Sequence, residues 1–439
     1  MTKSFKVSCI ISFSILVFSD YFISFSTSNK SIVGPLLIAQ GVISVVPFVL
    51  LIIYKLKRIN KIPKKIKFYY FWVLAMVIYT VVAMIVGISA ENSYRYILGD
   101  AFRFVIPVFV VAGFILSTPY IYKEKKFNDA FEGLFKLAVF YNFLMLFAKV
   151  LLVFNGSFYG GGANQYFIHH FLLIVMFFSI ISHGELGFLA RPLSKKVIYS
   201  VFVLCGIIFT ILSFKREFWF LLILTLFFIL LLSISNKRSL LLFSAIISST
   251  LIYVVNSPDL VELIYNRFMY TFNGSGGNGI DKSSFERISE IKGAIATMHN
   301  DFPVGEVFFG RGAGAEFTLV EYFGSVKEST GSKLGYYHHI HNMFVVIYFR
   351  FGLIGLALYL LPFLYGMFFY FLNKRLLSIS QSVILLACNI QLLIMIISGL
   401  AANSMYGSVY FGFVLSVMVL VTLYSRGKSE KDFSKCGFC

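Results

Sequence analysis

Long apolar segments recur along the whole sequence and constrain its fold more than any other feature. Each run of about 17–25 apolar residues is long enough to cross a hydrocarbon core of ~30 Å as an α-helix. Of the 439 residues, 58% are hydrophobic and only 13% are charged, which excludes a soluble two-domain enzyme. The sequence therefore predicts an all-α, polytopic integral membrane protein.

About twelve membrane-spanning helices are expected. They fall near residues 7–25, 33–54, 68–88, 101–117, 131–153, 167–182, 197–213, 218–234, 239–256, 353–372, 378–400 and 407–424. The first run follows Lys3 and Lys6 without a small-residue cleavage site, which indicates an anchor and not a signal peptide.

Lysine and arginine are distributed unevenly between the connections. Those on one side carry 23 of these residues and the short connections on the other side carry 4. Because cytoplasmic loops are enriched in lysine and arginine, both termini are expected in the cytoplasm. The net charge of +18 then reflects membrane topology, and no nucleic-acid partner is expected.

One long hydrophilic interval, Ser257–His339, is expected to lie outside the cytoplasm. The predicted organisation follows from it: transmembrane helices 1–9 in residues 1–256, a large periplasmic loop in 257–341, an interfacial or re-entrant helix and transmembrane helices 10–12 in 342–424, and a cytoplasmic tail in 425–439.

Inside the loop, Ser283-Ser-Phe-Glu286 matches a capping box and predicts the start of a helix. Its apolar residues fall on one face and predict an amphipathic helix along the membrane surface. These residues are Phe285, Ile288, Ile291, Ile295 and Met298.

Three histidines, His338, His339 and His341, end this loop. A metal site is not favoured, since there is no HExxH motif, no cysteine and no well-placed acidic partner. His341 precedes Asn342 and an apolar helix, where the positive end of the helix dipole favours a neutral, proton-accepting imidazole. A general base and a simple interfacial anchor are both consistent with this position.

Several basic residues on the same predicted side form a candidate anion site. Arg216, beside Lys215, lies in the shortest outer connection, while Arg287 and Arg311 lie in the long loop. Guanidinium groups bind phosphate with two parallel hydrogen bonds. By contrast, we interpret Arg103, Lys136 and Lys149, near the ends of spans, as snorkelling side chains.

At motif level, residues 200–355 resemble the O-antigen polymerase and O-antigen ligase superfamily of bacterial envelope enzymes. The resemblance is carried in order by Ser213-Phe-Lys-Arg216, Ser283-Ser-Phe-Glu-Arg287, Phe309-Gly-Arg-Gly-Ala-Gly-Ala-Glu-Phe317 and His341-Asn-Met-Phe, with a Gly-Gly-Ala-Asn-Gln turn at 161–165. Arg350 departs from the family pattern, which often has an acidic residue there.

The resemblance implies a GT-C-like membrane glycosyltransferase that uses undecaprenyl-diphosphate-linked oligosaccharide and neither metal nor cofactor. Arg216 and Arg287, with Lys215 and Arg311, would bind the diphosphate, and His341 would deprotonate the acceptor hydroxyl. His338, His339, Asn342 and Asn164 would contribute entrance or acceptor contacts. Membrane lipids and a chain-length regulator protein are the implied partners.

The expected function is polymerisation of O-antigen repeat units at the periplasmic face of the bacterial inner membrane. A ligase that transfers the glycan to lipid A-core is the first alternative. A flippase or other transporter is less favoured, because transporters place functional groups near the midplane, whereas the polar groups here gather at the outer edge. A purely structural scaffold would leave the arginines and histidines unexplained.

Overall fold

The computed structural model describes residues 3–25, 30–55, 62–118, 130–138, 222–228, 282–299, 304–318, 336–400 and 409–425, together with a few single residues between them. Within this described part, four helices are long and apolar enough to cross a membrane: Lys64–Ser89, Tyr94–Ile115, Met343–Asn373 and Gln381–Gly399. The helical membrane class is confirmed. The full number of twelve spans stays a prediction, because most of residues 119–281 lie outside the described part of the chain.

The elements of the described part are, in chain order, α1 (Lys3–Phe25), α2 (Lys30–Lys55), α3 (Lys67–Ser89), α4 (Tyr94–Ile115), α5 (Lys282–His299), α6 (Val304–Phe309), β1 (Phe317–Thr318), β2 (Tyr336–Tyr337), α7 (Met343–Asn373), α8 (Ile379–Gly399) and α9 (Val409–Tyr424). The two short strands pair antiparallel, with Phe317 opposite Tyr337. Short 3₁₀ turns, Lys64–Ile66 and Lys374–Leu376, precede α3 and follow α7.

The helix α9 is buried along almost its whole length and packs against α4 and α8. Close approach to α4 is permitted by Gly412, where a Cβ atom would lie 2.6 Å from the carbonyl oxygen of Pro107. Outer helix faces instead leave large apolar side chains exposed, which is a cost in water and an advantage in lipid. They include Leu50, Ile53, Ile78, Ile85, Phe368 and Phe371.

Contacts between helix ends define two ends of the bundle. At one end Lys65 donates to the carbonyl oxygen of Ser425 at 2.6 Å, and the Gln381 amide donates to that of Tyr424 at 2.9 Å. At the other end the Asn342 amide donates to the carbonyl oxygen of Leu400 at 2.9 Å. We call this second end the histidine end, because His338, His339 and His341 lie there. This grouping agrees with the predicted alternation of connections, while the compartment facing each end stays a prediction.

A glycine divides α7 into two helical segments. Gly352 has a φ of 62° and a ψ of −170°, and its Cβ position would overlap the carbonyl oxygen of Phe308 at the end of α6. The Tyr79 hydroxyl lies between the carbonyl oxygens of Phe308 and Phe351 and donates to the latter. A helix break at membrane depth requires such partners, because a free backbone carbonyl costs several kcal/mol in lipid.

Candidate active site

A glycine-rich turn between α6 and β1 forms the base of the histidine end. Gly310, Gly312 and Gly314 all have positive φ, between 76° and 83°. A Cβ atom on Gly312 would overlap the backbone of Gly87 in α3, and one on Gly314 would lie 2.7 Å from the nitrogen of Ile97 in α4. The turn can therefore insert between α3 and α4 only because these positions lack side chains.

Two backbone hydrogen bonds fix this turn to its neighbours. The amide of Ala313 donates to the carbonyl oxygen of Ala83 in α3 at 3.0 Å. The amide of Arg311 donates to the carbonyl oxygen of Phe349 in α7 at 2.9 Å, just before the break at Gly352. The turn thus contacts α3, α4 and the part of α7 that precedes and forms the break.

Asp100 in α4 is the centre of a buried polar network. Its carboxylate accepts from Arg350 Nη1 at 2.6 Å, from the amide of Gly314 at 2.8 Å and from His338 Nε2 at 3.1 Å. The side chains of Asp100 and Arg350 are only 1% and 3% exposed. Arg350 Nη2 also donates to the backbone carbonyl of His338. A buried carboxylate and guanidinium are tolerated here because their charges compensate each other.

His338 is consequently a structural residue in this network. Its ring stacks on that of Tyr96 with 4.0 Å between centroids, and it lies against the buried ion pair. Burial lowers the pKa of His338, and the Arg350 charge lowers it further, although the Asp100 hydrogen bond acts in the opposite direction. The neutral ring therefore donates Nε2–H to Asp100.

His341 pairs with a second carboxylate, Glu290 of α5. Nδ1 of His341 lies 2.9 Å and 3.0 Å from the two carboxylate oxygens, and the backbone amide of His341 donates to Oε2 at 2.9 Å. The Glu290 side chain is 10% exposed, whereas that of His341 is 42% exposed. A carboxylate on Nδ1 keeps the proton on that nitrogen and leaves Nε2 as the free base.

The residue after this histidine begins α7. The Asn342 side chain accepts from the amide of Val345 at 3.1 Å and caps the helix, while its amide group donates to Leu400. His341 is therefore held by its own backbone, by Glu290 and by the helix cap that follows it, while its side chain is 42% exposed. A fixed, accessible imidazole paired with a carboxylate can abstract a proton from a hydroxyl group.

Residues 201–360 match the family model described as O-antigen ligase. A comparison with curated proteins finds no match. This stretch, called the superfamily domain below, is similar to the O-antigen polymerase and ligase superfamily. This confirms the family resemblance drawn from the sequence motifs. Members of the family are glycosyltransferase-like enzymes.

The superfamily domain includes α5, α6, the glycine-rich turn and the start of α7, and therefore both members of the Glu290–His341 pair. Asp100 and Tyr96 lie outside it, in α4. The buried network thus attaches the superfamily domain to an earlier part of the chain.

The described residues bring only some of the predicted site residues together. His338, His339, His341 and Asn342 are adjacent, and the rings of His339 and His341 meet edge to face with 4.5 Å between centroids. Arg287 lies half-buried on α5, three residues before Glu290. Arg216, Lys215 and Asn164 lie outside the described residues.

Arg311 is engaged by the protein itself. Its Nε lies 3.4 Å from a carboxylate oxygen of Glu306, and its Nη1 donates to the carbonyl oxygen of Thr297 at 3.1 Å. These contacts connect the glycine-rich turn to α5 and α6.

Sequence reasoning missed both carboxylates of this site. The expectation that the histidines lack a well-placed acidic partner is wrong, since Glu290 contacts His341 and Asp100 contacts His338. Asp100 lies more than 200 positions before the histidines, and no local spacing connects it to them. Glu290 carried one usable signal, because it follows Arg287 of the family motif by one helical turn.

The apolar stripe expected on α5 is also divided. Met298 is 1% exposed, but Ile288 and Ile295 are 40% and 38% exposed. The buried face instead includes Glu290, Ala294 and Met298, at i, i+4 and i+8. The face that delivers Glu290 to His341 therefore packs inward, and the isoleucines lie on another face.

Among the described residues no group of three histidine, cysteine, aspartate or glutamate side chains is arranged to hold a metal ion. Arg350, the departure from the family pattern, forms the buried ion pair with Asp100. The position therefore takes part in a salt bridge, in which α7 contributes the basic residue and α4 the acidic one.

Proposed function

We propose that this protein is an O-antigen polymerase. It would join undecaprenyl-diphosphate-linked oligosaccharide repeat units by glycosyl transfer at the periplasmic face of the inner membrane. The observation that carries the proposal is the Glu290–His341 pair, a fixed and accessible histidine base inside the superfamily domain.

In the proposed reaction, Nε2 of His341 accepts the proton of an acceptor sugar hydroxyl. The hydroxyl oxygen forms a bond to the anomeric carbon of the donor glycan, and the bond from that carbon to the diphosphate oxygen breaks. The diphosphate leaves with the bonding electron pair, and the proton on His341 is then released to the diphosphate or to water. Glu290 stabilises the imidazolium that forms between these events.

Arginines would hold the departing diphosphate. Arg287 lies one turn before Glu290 on α5, so one helix can supply both a phosphate contact and the carboxylate that supports the base. We propose Arg216 and Lys215 as further phosphate contacts, and His339, Asn342 and Asn164 as acceptor or entrance contacts, from the superfamily resemblance. To reach Arg311, a diphosphate would have to displace Glu306.

The proposed orientation in the membrane follows from the residues at the two ends of the bundle. The lysine-rich end, with Lys64, Lys65 and Lys67, would face the cytoplasm together with both chain termini, and the histidine end would face the periplasm. The architecture would be GT-C-like, and membrane lipids and a chain-length regulator protein would be its partners. The reaction would need no metal, so EDTA should leave the activity of the purified enzyme unchanged.

A ligase is the second candidate, because the matched family model is described as O-antigen ligase. It would use the same base and leaving group but would transfer the finished glycan to lipid A-core.

Deletion of the gene, followed by electrophoresis of surface polysaccharide, separates the candidates. Loss of a polymerase leaves a lipid A-core that carries a single repeat unit, whereas loss of a ligase leaves polymer on the lipid carrier. Complementation with His341→Ala should reproduce the deletion at wild-type protein level, since a general base contributes ~10²–10⁴-fold in rate. A normal polysaccharide ladder in the deletion strain would refute both assignments.

A further inference from the structure

One face of α4 carries three residues directed to the histidine end. Tyr96, Asp100 and Arg103 are spaced by four and three positions, which places them on one side of a helix. Tyr96 stacks on His338 and Asp100 accepts a hydrogen bond from it. Arg103 is therefore the next residue along the face that packs against the histidines.

Arg103 is deep for a charged side chain. It lies nine positions after Tyr94 in a helix long and apolar enough to cross a membrane, about 14 Å along the axis at 1.5 Å per residue. Charged side chains at such depth are rare and face the protein interior or a polar cavity, where they meet a partner. Arg103 is half-buried, and no hydrogen-bond or ion-pair partner is found for it among the described residues.

The nearby acid is already engaged. Asp100 accepts hydrogen bonds from the guanidinium of Arg350, the amide of Gly314 and the ring of His338. The two buried side chains neutralise each other, which, within the described part of the chain, leaves the Arg103 charge uncompensated on this face of α4.

The adjacent histidines do not compensate the Arg103 charge, because a histidine ring is either neutral or positively charged. Burial lowers the pKa of both His338 and His339, although His339 retains exposed surface. The charge of Arg350 adds to the effect on His338, and the ring of His341 adds to that on His339. The Arg103 charge also lowers the pKa of both rings, so its guanidinium lies within electrostatic range of both.

We propose that Arg103 binds a phosphate group of the lipid-linked diphosphate from α4, beside His339. The proposal rests on the function proposed above, because that function supplies the anionic ligand. The guanidinium fork matches two phosphate oxygens. Since the rings of His339 and His341 are in contact, a phosphate bound by Arg103 beside His339 would lie close to the proposed base.

The test is a binding measurement on the purified, full-length protein in lipid nanodiscs. Undecaprenyl diphosphate is titrated into wild type, Arg103→Gln and Arg103→Lys. Arg95→Gln is the matched control, because Arg95 is exposed on the first turn of the same helix. A charge-assisted hydrogen bond contributes ~1.5–3 kcal/mol, so Kd should rise about 10- to 100-fold in Arg103→Gln. It should rise less in Arg103→Lys and stay unchanged in Arg95→Gln.

Two further measurements show whether the phosphate that Arg103 binds belongs to the lipid-linked diphosphate or to a membrane lipid. Inorganic pyrophosphate should compete with the lipid in wild type and compete less well in Arg103→Gln. Varying the phosphatidylglycerol content of the nanodisc should leave the difference between the variants in place. A difference that appears only with phosphatidylglycerol would assign Arg103 to bulk lipid and overturn the proposal.

The proposal also fails if folded Arg103→Gln binds undecaprenyl diphosphate with wild-type Kd. If Arg103→Gln does not fold, wild-type affinity in Arg103→Lys overturns it equally. Failure of the proposed function looks different: wild type would bind the diphosphate through Arg103 and yet form no glycosidic linkage between repeat units.

Discussion

At the scale of single residues, the contacts of His338 and His341 separate their roles. Both rings face a carboxylate, but the Nε2 of His338 is directed to buried Asp100 whereas His341 uses Nδ1 for Glu290. Among the described residues, no hydrogen bond engages Nε2 of His341, and this side chain is 42% exposed. The same side-chain type is therefore a structural donor at one position and the proposed base at the other.

Glu290→Gln should lower kcat about 10- to 100-fold and leave KM nearly unchanged, because a neutral amide loses the ~1.5–3 kcal/mol of a charge-assisted hydrogen bond to the imidazolium. Glu290→Asp should recover part of the rate. Turnover of lipid-linked repeat units by purified enzyme measures both constants. Glu91→Gln, an exposed carboxylate in the turn between α3 and α4, is the control. A wild-type kcat in Glu290→Gln would remove this residue from the mechanism.

His338 should make the folded protein sensitive to mild acid. Burial and the Arg350 charge lower its pKa below the ~6.5 of an unfolded histidine, so below that pH the unfolded chain binds more protons. The free energy of unfolding therefore falls as pH falls below about 6.5.

Thermal unfolding in detergent at pH 7.5 and 5.5 tests this effect. Tm should decrease more in wild type than in His338→Gln, which cannot titrate at this position. An equal decrease in the two proteins would show that His338 does not account for the sensitivity.

At the scale of elements, the sequence shows the glycine-rich segment but does not show that it inserts between α3 and α4. Its composition indicates tight backbone geometry, and the positive φ values of Gly310, Gly312 and Gly314 agree with this. What the turn inserts into depends on α3, α4 and the break at Gly352, more than 30 positions away on either side. Local sequence determines the conformation of such a turn, whereas its neighbours are determined by packing.

Gly312→Ala should destabilise the protein, because a side chain at a φ of 83° is strained by ~1–3 kcal/mol and its Cβ would also overlap the backbone of Gly87. Gly305→Ala is the matched control, since no atom lies within 4 Å of its Cβ position. Thermal unfolding of the two variants should give a clear loss of Tm for the first and almost none for the second. Equal Tm values would mean that the turn does not insert between α3 and α4 as described.

At the scale of the whole molecule, the sequence predicts those features that depend only on a single continuous segment. Span length and hydropathy identify α3, α4, α7 and α8, because each helix satisfies its own backbone in lipid. The break at Gly352 separates a short segment from the expected span at 353–372. Pairings such as Asp100 with Arg350 and His338 form only after these helices assemble, and composition gives no indication of them.

The two ends of the bundle are expected to face opposite sides of the membrane, which can be tested by labelling. Ser93 lies at the histidine end and Lys64 at the opposite, basic end. Because lysine-rich ends face the cytoplasm, Ser93→Cys should react with a membrane-impermeant maleimide in intact spheroplasts, and Lys64→Cys only after permeabilisation. Each variant is made in a background whose five natural cysteines are replaced by alanine. Labelling of Lys64→Cys from outside would invert the bundle, place the Glu290–His341 pair in the cytoplasm and exclude polymerisation at the periplasmic face.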